Sequence, residues 1–97
     1  MIRVFALDID GVLTDGTVSI DEDGRERKTI HFRDVDAVYA AHRDGLTVAL
    51  VTGETTPIVD RIAEKLSVRH VYRGHDKEAS LRALAADVGV PVEEMCY

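Results

Sequence analysis

The stretch Arg3-Val4-Phe5-Ala6-Leu7-Asp8-Ile9-Asp10-Gly11-Val12-Leu13-Thr14-Asp15-Gly16 decides how this chain is read. An apolar run from Arg3 to Leu7 stops at two acids and a glycine. A short apolar run bounded by turn residues reads as a buried strand. Side chains two apart on extended backbone point to the same face, so Asp8 and Asp10 are expected together at the strand's carboxyl end. Two carboxylates that close repel unless a cation stands between them. Hard oxygen donors favour Mg²⁺. A lone Asp near a strand end is usually a helix cap or a solvated turn residue. Asp-x-Asp-Gly directly after an apolar strand points instead to chemistry.

Working outward, Thr17–Ile20 and Lys28–Phe32 are β-prone and flank Asp21-Glu22-Asp23-Gly24, a hairpin signal. Asp34 is placed to cap a helix carrying Val35, Val38, Tyr39 and His42, with Gly45 as its stop. Leu46–Val51 reads as a second buried strand ending at Thr52-Gly53, and Thr55 or Thr56 as the cap of the next helix, with Pro57 in its first turn. Ile58, Ile62 and Leu66 form that helix's apolar stripe. Val68–Tyr72 is a third strand, and Gly74-His75-Asp76 a loop in which Asp76 can cap a helix from Lys77 to Val88, closed by Gly89. Leu81, Leu84, Ala85 and Val88 share one face of that helix. Pro91–Glu94 reads as a helical turn and Met95-Cys96-Tyr97 as the start of a fourth strand. Strand and helix alternate, which predicts an α/β class: a Rossmann-like parallel sheet with flanking helices and a β-hairpin inserted after the first strand.

Ninety-seven residues make one domain, residues 1–97. A net charge of −6 argues against nucleic acid and against anionic lipid as partners. The longest apolar runs, Val4–Leu7 and Val48–Val51, are too short to span a membrane. One cysteine, Cys96, excludes an internal disulfide and suits a reducing compartment, so a cytoplasmic location is expected. Cys96 itself reads as buried filler. None of His31, His42, His70 and His75 pairs with another at metal-ligand spacing. His42 is expected half-buried on its helix and His75 in a loop.

Parallel sheets bind ligands beyond the carboxyl ends of their strands. There the sequence places Asp8 and Asp10 after the first strand, Thr52-Gly53 after the second and Lys77 after the third. A hydroxyl and an unobstructed N–H at a helix entrance suit a phosphate oxygen. A lysine in a helix's first turn is disfavoured by the dipole unless an anion faces it. Singly, Thr-Gly is a common cap and Lys77 a surface residue. Together they supply a nucleophile, a cation site, a phosphate cradle and a positive charge, the requirements of phosphoryl transfer.

On these residues the sequence resembles the haloacid dehalogenase superfamily: Asp8 to Gly16 matches its first motif, Thr52-Gly53 its second and Lys77 its third. The hairpin in place of a large cap, with Phe32-Arg33-Asp34 and Val51-Thr52-Gly53-Glu54, is similar to the capless branch. That branch holds 3-deoxy-D-manno-octulosonate (KDO) 8-phosphate phosphatases, nonulosonate 9-phosphate phosphatases and the C-terminal domain of some acylneuraminate cytidylyltransferases. The resemblance implies a Mg²⁺-dependent phosphatase acting on an acidic 2-keto-3-deoxy sugar phosphate. In it Asp8 is the nucleophile, and Asp10 protonates the leaving oxygen and then activates water. Thr52 holds the phosphoryl oxygens and Lys77 neutralises charge. The Asp8 carboxylate and the Asp10 carbonyl hold the metal. Gly11, Gly53, Glu54 and Lys65 line the phosphate and substrate. Octulosonate phosphatases commonly carry Arg where Glu54 stands, so Glu54 with Lys65 resembles the nonulosonate branch. The hairpin, residues 17–32, is implied to meet a neighbouring subunit in a homotetramer.

The superfamily's fourth motif, an acidic Gly-Asp-Asp type segment, follows the fourth strand and is expected beyond Tyr97. The C-terminal part of the domain is therefore expected to be missing from these 97 residues. Two other readings remain open on the sequence. One is a non-catalytic assembly domain that lacks the fourth motif. The other is a phospho-acceptor receiver module, which wants an Asp where the second strand ends and finds Thr52.

Overall fold

The computed structural model describes all 97 residues. Strand β1 (Val4–Leu7) lies inside a four-stranded parallel sheet, one strand from one edge and two from the other. Its neighbours are β4 (Thr47–Thr52), paired as Phe5 to Val48 and Leu7 to Leu50, and β6 (Met95–Cys96), paired as Val4 to Met95. Strand β5 (His70–Arg73) forms the other edge, with Thr52 opposite Arg73. The hairpin is a separate two-stranded ladder of β2 (Ser19–Ile20) and β3 (Glu26–Arg27). Helices α1 (Phe32–Arg43), α2 (Ile58–Leu66) and α3 (Lys77–Val88) connect the sheet strands.

Alternation along the central strands divides the interior in two. Val48 and Leu50 of β4 face a core built with Ile9, Val35, Val38, Val59, Ile62 and Leu66, which belongs to α1 and α2. Ala49 and Val51 point the other way with Val4 and Ala6, against Leu84 of α3. Strand β4 is buried from Val48 to Thr52, as a central parallel strand covered on both faces must be. Because the strands run parallel, β1, β4 and β5 all deliver their following loops to one edge of the sheet.

Several local expectations are corrected. The hairpin strands are shorter than Thr17–Ile20 and Lys28–Phe32: the second arm is Glu26–Arg27, and Lys28 leaves the ladder to meet two carboxylates. Phe32 already belongs to α1, whose N-cap is His31, not Asp34; His31 Nδ1 accepts the Arg33 N–H at 3.0 Å, and Asp34 sits in the first turn. Neither Thr55 nor Thr56 caps α2. That helix starts after Pro57 with no side-chain cap, and the Thr56 hydroxyl is buried without a partner. The third strand is His70–Arg73, two residues later at its start than Val68, because Val68 closes the turn after α2 with its N–H on the Ala63 carbonyl. Cys96, read as buried filler, is exposed.

Other expectations hold. Asp76 caps α3 by accepting the Ala79 N–H at 3.0 Å, and Gly89 ends that helix in the left-handed conformation, φ 68°. His42 is half-buried, and His75 lies exposed in its loop. No helix is long and apolar enough to cross a membrane.

Candidate active site

The loop after β1 is built around Ile9. Its side chain is fully buried, and its carbonyl accepts the N–H groups of Val12, Leu13 and Thr14 at 3.3, 2.9 and 3.0 Å. This hook keeps Asp8 and Asp10 out of the core on either side of an anchored residue. Gly11 follows with φ +80°, a conformation that other L residues rarely adopt. Thr14, which sequence reasoning does not single out, is the polar hub of the loop. Its buried Oγ1 accepts the Gly16 N–H at 3.1 Å and the Gly11 N–H at 3.4 Å, and lies 3.4 Å from Asp10 Oδ1. The only signal for Thr14 is its place inside Asp8–Gly16.

The two acids do not share one cation; each has its own lysine. Asp8 Oδ2 is paired with Lys77 Nζ, and Asp8 Oδ1 accepts the neighbouring Ile9 N–H at 2.7 Å. Asp10 is gripped by Lys28, whose Nζ lies 2.7 and 3.0 Å from its two carboxylate oxygens. The same ammonium reaches Glu54 Oε2 at 3.0 Å. Sequence reasoning misses Lys28 as well. In sequence it is one charge in a polar hairpin, and only the tertiary structure turns it inward, where its side chain is 5% exposed.

Thr52 closes β4 as a buried residue, and its Oγ1 accepts the Glu54 N–H at 3.0 Å. Its carbonyl accepts the Gly74 N–H at 3.0 Å, which ties the loops after β4 and β5 together. A Cβ at Gly53 would stand in ordinary contact with His75 Nδ1 and the Gly74 carbonyl, at 3.7 and 3.8 Å, so Gly53 lies directly against the loop that follows β5. The structure thus brings Asp8, Asp10, Gly11, Thr52, Gly53, Glu54 and Lys77 to one edge of the sheet. It does not bring Lys65 there. Lys65 is exposed in the last turn of α2, at the end of a nine-residue helix that runs away from the Thr52 loop.

Electrostatics follow these pairings. The hydrogen bond from Lys77 to Asp8 holds the Lys77 pKa above its ordinary value, helped by Tyr97, whose ring centroid lies 5.7 Å from Nζ. Burial pulls the Lys28 pKa down, but its hydrogen bonds to Asp10 and Glu54 outweigh that and raise it. Lys28 in turn lowers the pKa of Glu54, with a further contribution from Thr56.

The oxygens available to a cation are hard donors: the carboxylates of Asp8 and Asp10, and the Asp10 carbonyl, which accepts no hydrogen bond. No group of three or more His, Cys, Asp or Glu gathers here. Two carboxylates and a carbonyl fit a small divalent ion that takes the rest of its shell from water and phosphate.

An acid pair after the first strand of a parallel sheet, a Thr-Gly turn after the next and a lysine opening a helix after the third define a haloacid dehalogenase-like protein. No family model matches the chain. Individual proteins do, along nearly all of it. The 3-deoxy-D-manno-octulosonate 8-phosphate phosphatase KdsC of Escherichia coli K12 is 30% identical over 97 residues, covering 99% of this chain and 52% of KdsC. The crystal structure of a probable YrbI family phosphatase from Pseudomonas syringae superposes with a TM-score of 0.92 at 36% identity, over 99% of this chain and 55% of that one. The octulosonate 8-phosphate phosphatase of Moraxella catarrhalis, solved with magnesium, phosphate and KDO, gives a TM-score of 0.90 at 32% identity, over 97% and 55%. The chain is a homologue of these haloacid dehalogenase-superfamily phosphatases. It spans about half the length of the curated relatives it matches.

Proposed function

We propose that this chain carries the nucleophile, acid/base and phosphate-binding part of a phosphatase acting on an acidic 2-keto-3-deoxy sugar phosphate. The observation that carries the reading is the Asp8–Lys77 ion pair at the edge where Thr52 and Asp10 also emerge. Asp8 attacks phosphorus and displaces the sugar oxygen, and Asp10 delivers a proton to that oxygen. The product is an aspartyl-phosphate on Asp8. Asp10, now a base, takes a proton from water as the water attacks phosphorus, and inorganic phosphate leaves with Asp8 restored. Thr52 Oγ1, the Gly53 backbone and Lys77 hold the phosphoryl oxygens as negative charge builds on them. Gly11 supplies the φ of +80° at which the chain turns directly after Asp10.

Asp8 and the Asp10 carbonyl would hold Mg²⁺, which supplies charge neutralisation on the phosphoryl group. The hard oxygen donors described above support that assignment, as does the magnesium in the Moraxella catarrhalis relative. For the substrate, KDO 8-phosphate is supported by the relatives' names, and a nonulosonate 9-phosphate by Glu54 beside Gly53. Lys65 contributes from within the same subunit to neither reading, given its place on α2.

The hairpin suits a contact with a second copy, in a homotetramer, because Val18 and Ile20 are 44% and 63% exposed. A cytoplasmic location fits the single free cysteine. The second reading is a non-catalytic assembly domain, for which the exposed Val18 and Ile20 of the hairpin would supply the contact surface.

The test is phosphate release from KDO 8-phosphate and from a nonulosonate 9-phosphate with Mg²⁺, by the full-length protein and by Asp8→Asn. Release from either substrate that falls more than about a thousandfold in Asp8→Asn supports the proposal. Full activity in Asp8→Asn sinks it. Tetramers that bind no Mg²⁺ and release no phosphate support the assembly reading.

A further inference from the structure

The hairpin lysine carries an inference that deepens this reading and rests on it. Lys28 leaves the ladder directly after β3 and buries its side chain to 5% exposure. An ammonium has three N–H donors. Here three carboxylate oxygens receive them: Asp10 Oδ1 at 2.7 Å, Asp10 Oδ2 at 3.0 Å and Glu54 Oε2 at 3.0 Å. Asp10 has little else to fix it. Its side chain is 44% exposed, and its other hydrogen bond, from the Thr14 hydroxyl, is long at 3.4 Å. Glu54 is fixed by the same lysine, its remaining contact being the Thr56 N–H at 3.4 Å. The three groups line a cavity of about 230 Å³ between the hairpin and the sheet edge, with Thr17 and Glu26 on its hairpin side.

We infer that Lys28 is a positioning residue for the phosphoryl transfer: it aims the Asp10 carboxyl group, which carries the proton in this step, at the leaving-group oxygen and sets Glu54 at the wall of the cavity that receives the leaving group. Asp10 must carry a proton as the alkoxide departs, and a carboxyl group that swings freely delivers it poorly, because proton delivery depends on hydrogen-bond reach. Lys28 supplies the restraint through both Asp10 oxygens, and it links that restraint to the seating of the hairpin. The hairpin thereby acts on the chemistry of its own subunit.

Leaving-group dependence tests the role. A sugar alkoxide needs a proton from Asp10 as it departs, whereas 4-nitrophenolate leaves without one. The comparison uses kcat/KM, which reports transfer to Asp8 and not the later hydrolysis. Lys28→Met is expected to lower kcat/KM for the sugar-acid phosphate about 30- to 100-fold and for 4-nitrophenyl phosphate less than about threefold. Lys28→Arg, which can still grip two oxygens, is expected to recover much of the loss. Equal losses on both substrates, or no loss on either, overturn the inference. If the wild-type protein releases phosphate from neither substrate, or Asp8→Asn matches it, the phosphatase reading itself falls and this inference with it.

Should Lys28→Met fail to fold, the wild-type protein still decides. Its Lys28 ammonium protons are expected to exchange slowly with water by NMR, and faster in Asp10→Asn. A Lys28 ammonium that exchanges as fast as an exposed lysine overturns the pairing.

Discussion

Lys77 and Asp8 stand 69 positions apart in the chain and are joined by an ion pair at the sheet's carboxyl edge. The Asp76 cap makes Lys77 the first residue of α3, where the helix dipole disfavours a cation. The Asp8 carboxylate offsets that penalty. The side chains remain 35% and 26% exposed, so the pair contributes on the order of 1 kcal/mol or less to stability. Lys77→Met is therefore expected to shift the denaturation midpoint little while lowering phosphate release about 100- to 1000-fold. Denaturant titration and phosphate release on the same preparation check this. A large loss of stability in Lys77→Met would make the pair a structural clamp instead.

The fold is held from both faces, and Leu84 is the keystone of one of them. It is fully buried against Val4, Ala6, Ala49 and Val51, the small side of β1 and β4. Tyr72, Leu81, Val88, Val90 and Met95 pack around it only partly buried, and its removal leaves a cavity among them. Leu84→Ala is expected to cost about 3 to 5 kcal/mol, read as a loss of the denaturation midpoint in urea. A cost below about 1 kcal/mol would mean that α3 is not packed on the sheet in solution.

Much of this architecture is legible in the amino-acid sequence. Helix α3 is read with its true ends because Asp76 and Gly89 are local signals that act through their own backbone neighbours. Asp8, Asp10, Thr52 and Lys77 are legible because each directly follows a strand, and a parallel sheet carries every such position to one edge. The hairpin strands, the α1 cap and Lys28 are not legible. Lys28, directly after β3, reaches across to Asp10 and Glu54, and the α1 cap is a histidine, a residue type that carries little capping signal in sequence. A contact spanning 18 or 26 positions leaves no periodicity in the sequence.

Tyr72 supplies a pH dependence remote from the site. Burial, and its hydrogen bond to Asp87, push the phenol from 10.0 to about 12. The fold therefore favours the neutral phenol. Its stabilisation is fully present below about pH 10, where both folded and unfolded forms are protonated, and is lost as pH rises through about 12. Wild type and Tyr72→Phe compared across this range should converge: the wild-type advantage shrinks by at most about 1.4 kcal/mol per pH unit, because Phe has nothing to ionise. Parallel curves from about pH 9 to about pH 12 would show that neither burial nor the Asp87 contact raises the Tyr72 phenol in solution.

Removing divalent metal separates activity from folding. In many small metal sites the ligands are acids whose mutual repulsion opens the fold when the ion leaves. Here each acid already has a cation of the chain's own, Lys77 for Asp8 and Lys28 for Asp10. The turn that carries them is held by the Ile9 carbonyl and by burial of the Ile9 side chain, neither of which involves a metal. Chelation is therefore expected to abolish phosphate release and to lower the thermal midpoint only slightly, by the mass-action term for a bound ion. Added Mg²⁺ should restore activity, and Ca²⁺ less well, because its larger and looser shell suits a compact phosphoryl site poorly. Thermal scans and release assays before and after chelation give both readings. Unfolding on chelation would mean that the lysine pairs do not carry the charge of Asp8 and Asp10, and full activity after chelation would remove the metal from the mechanism.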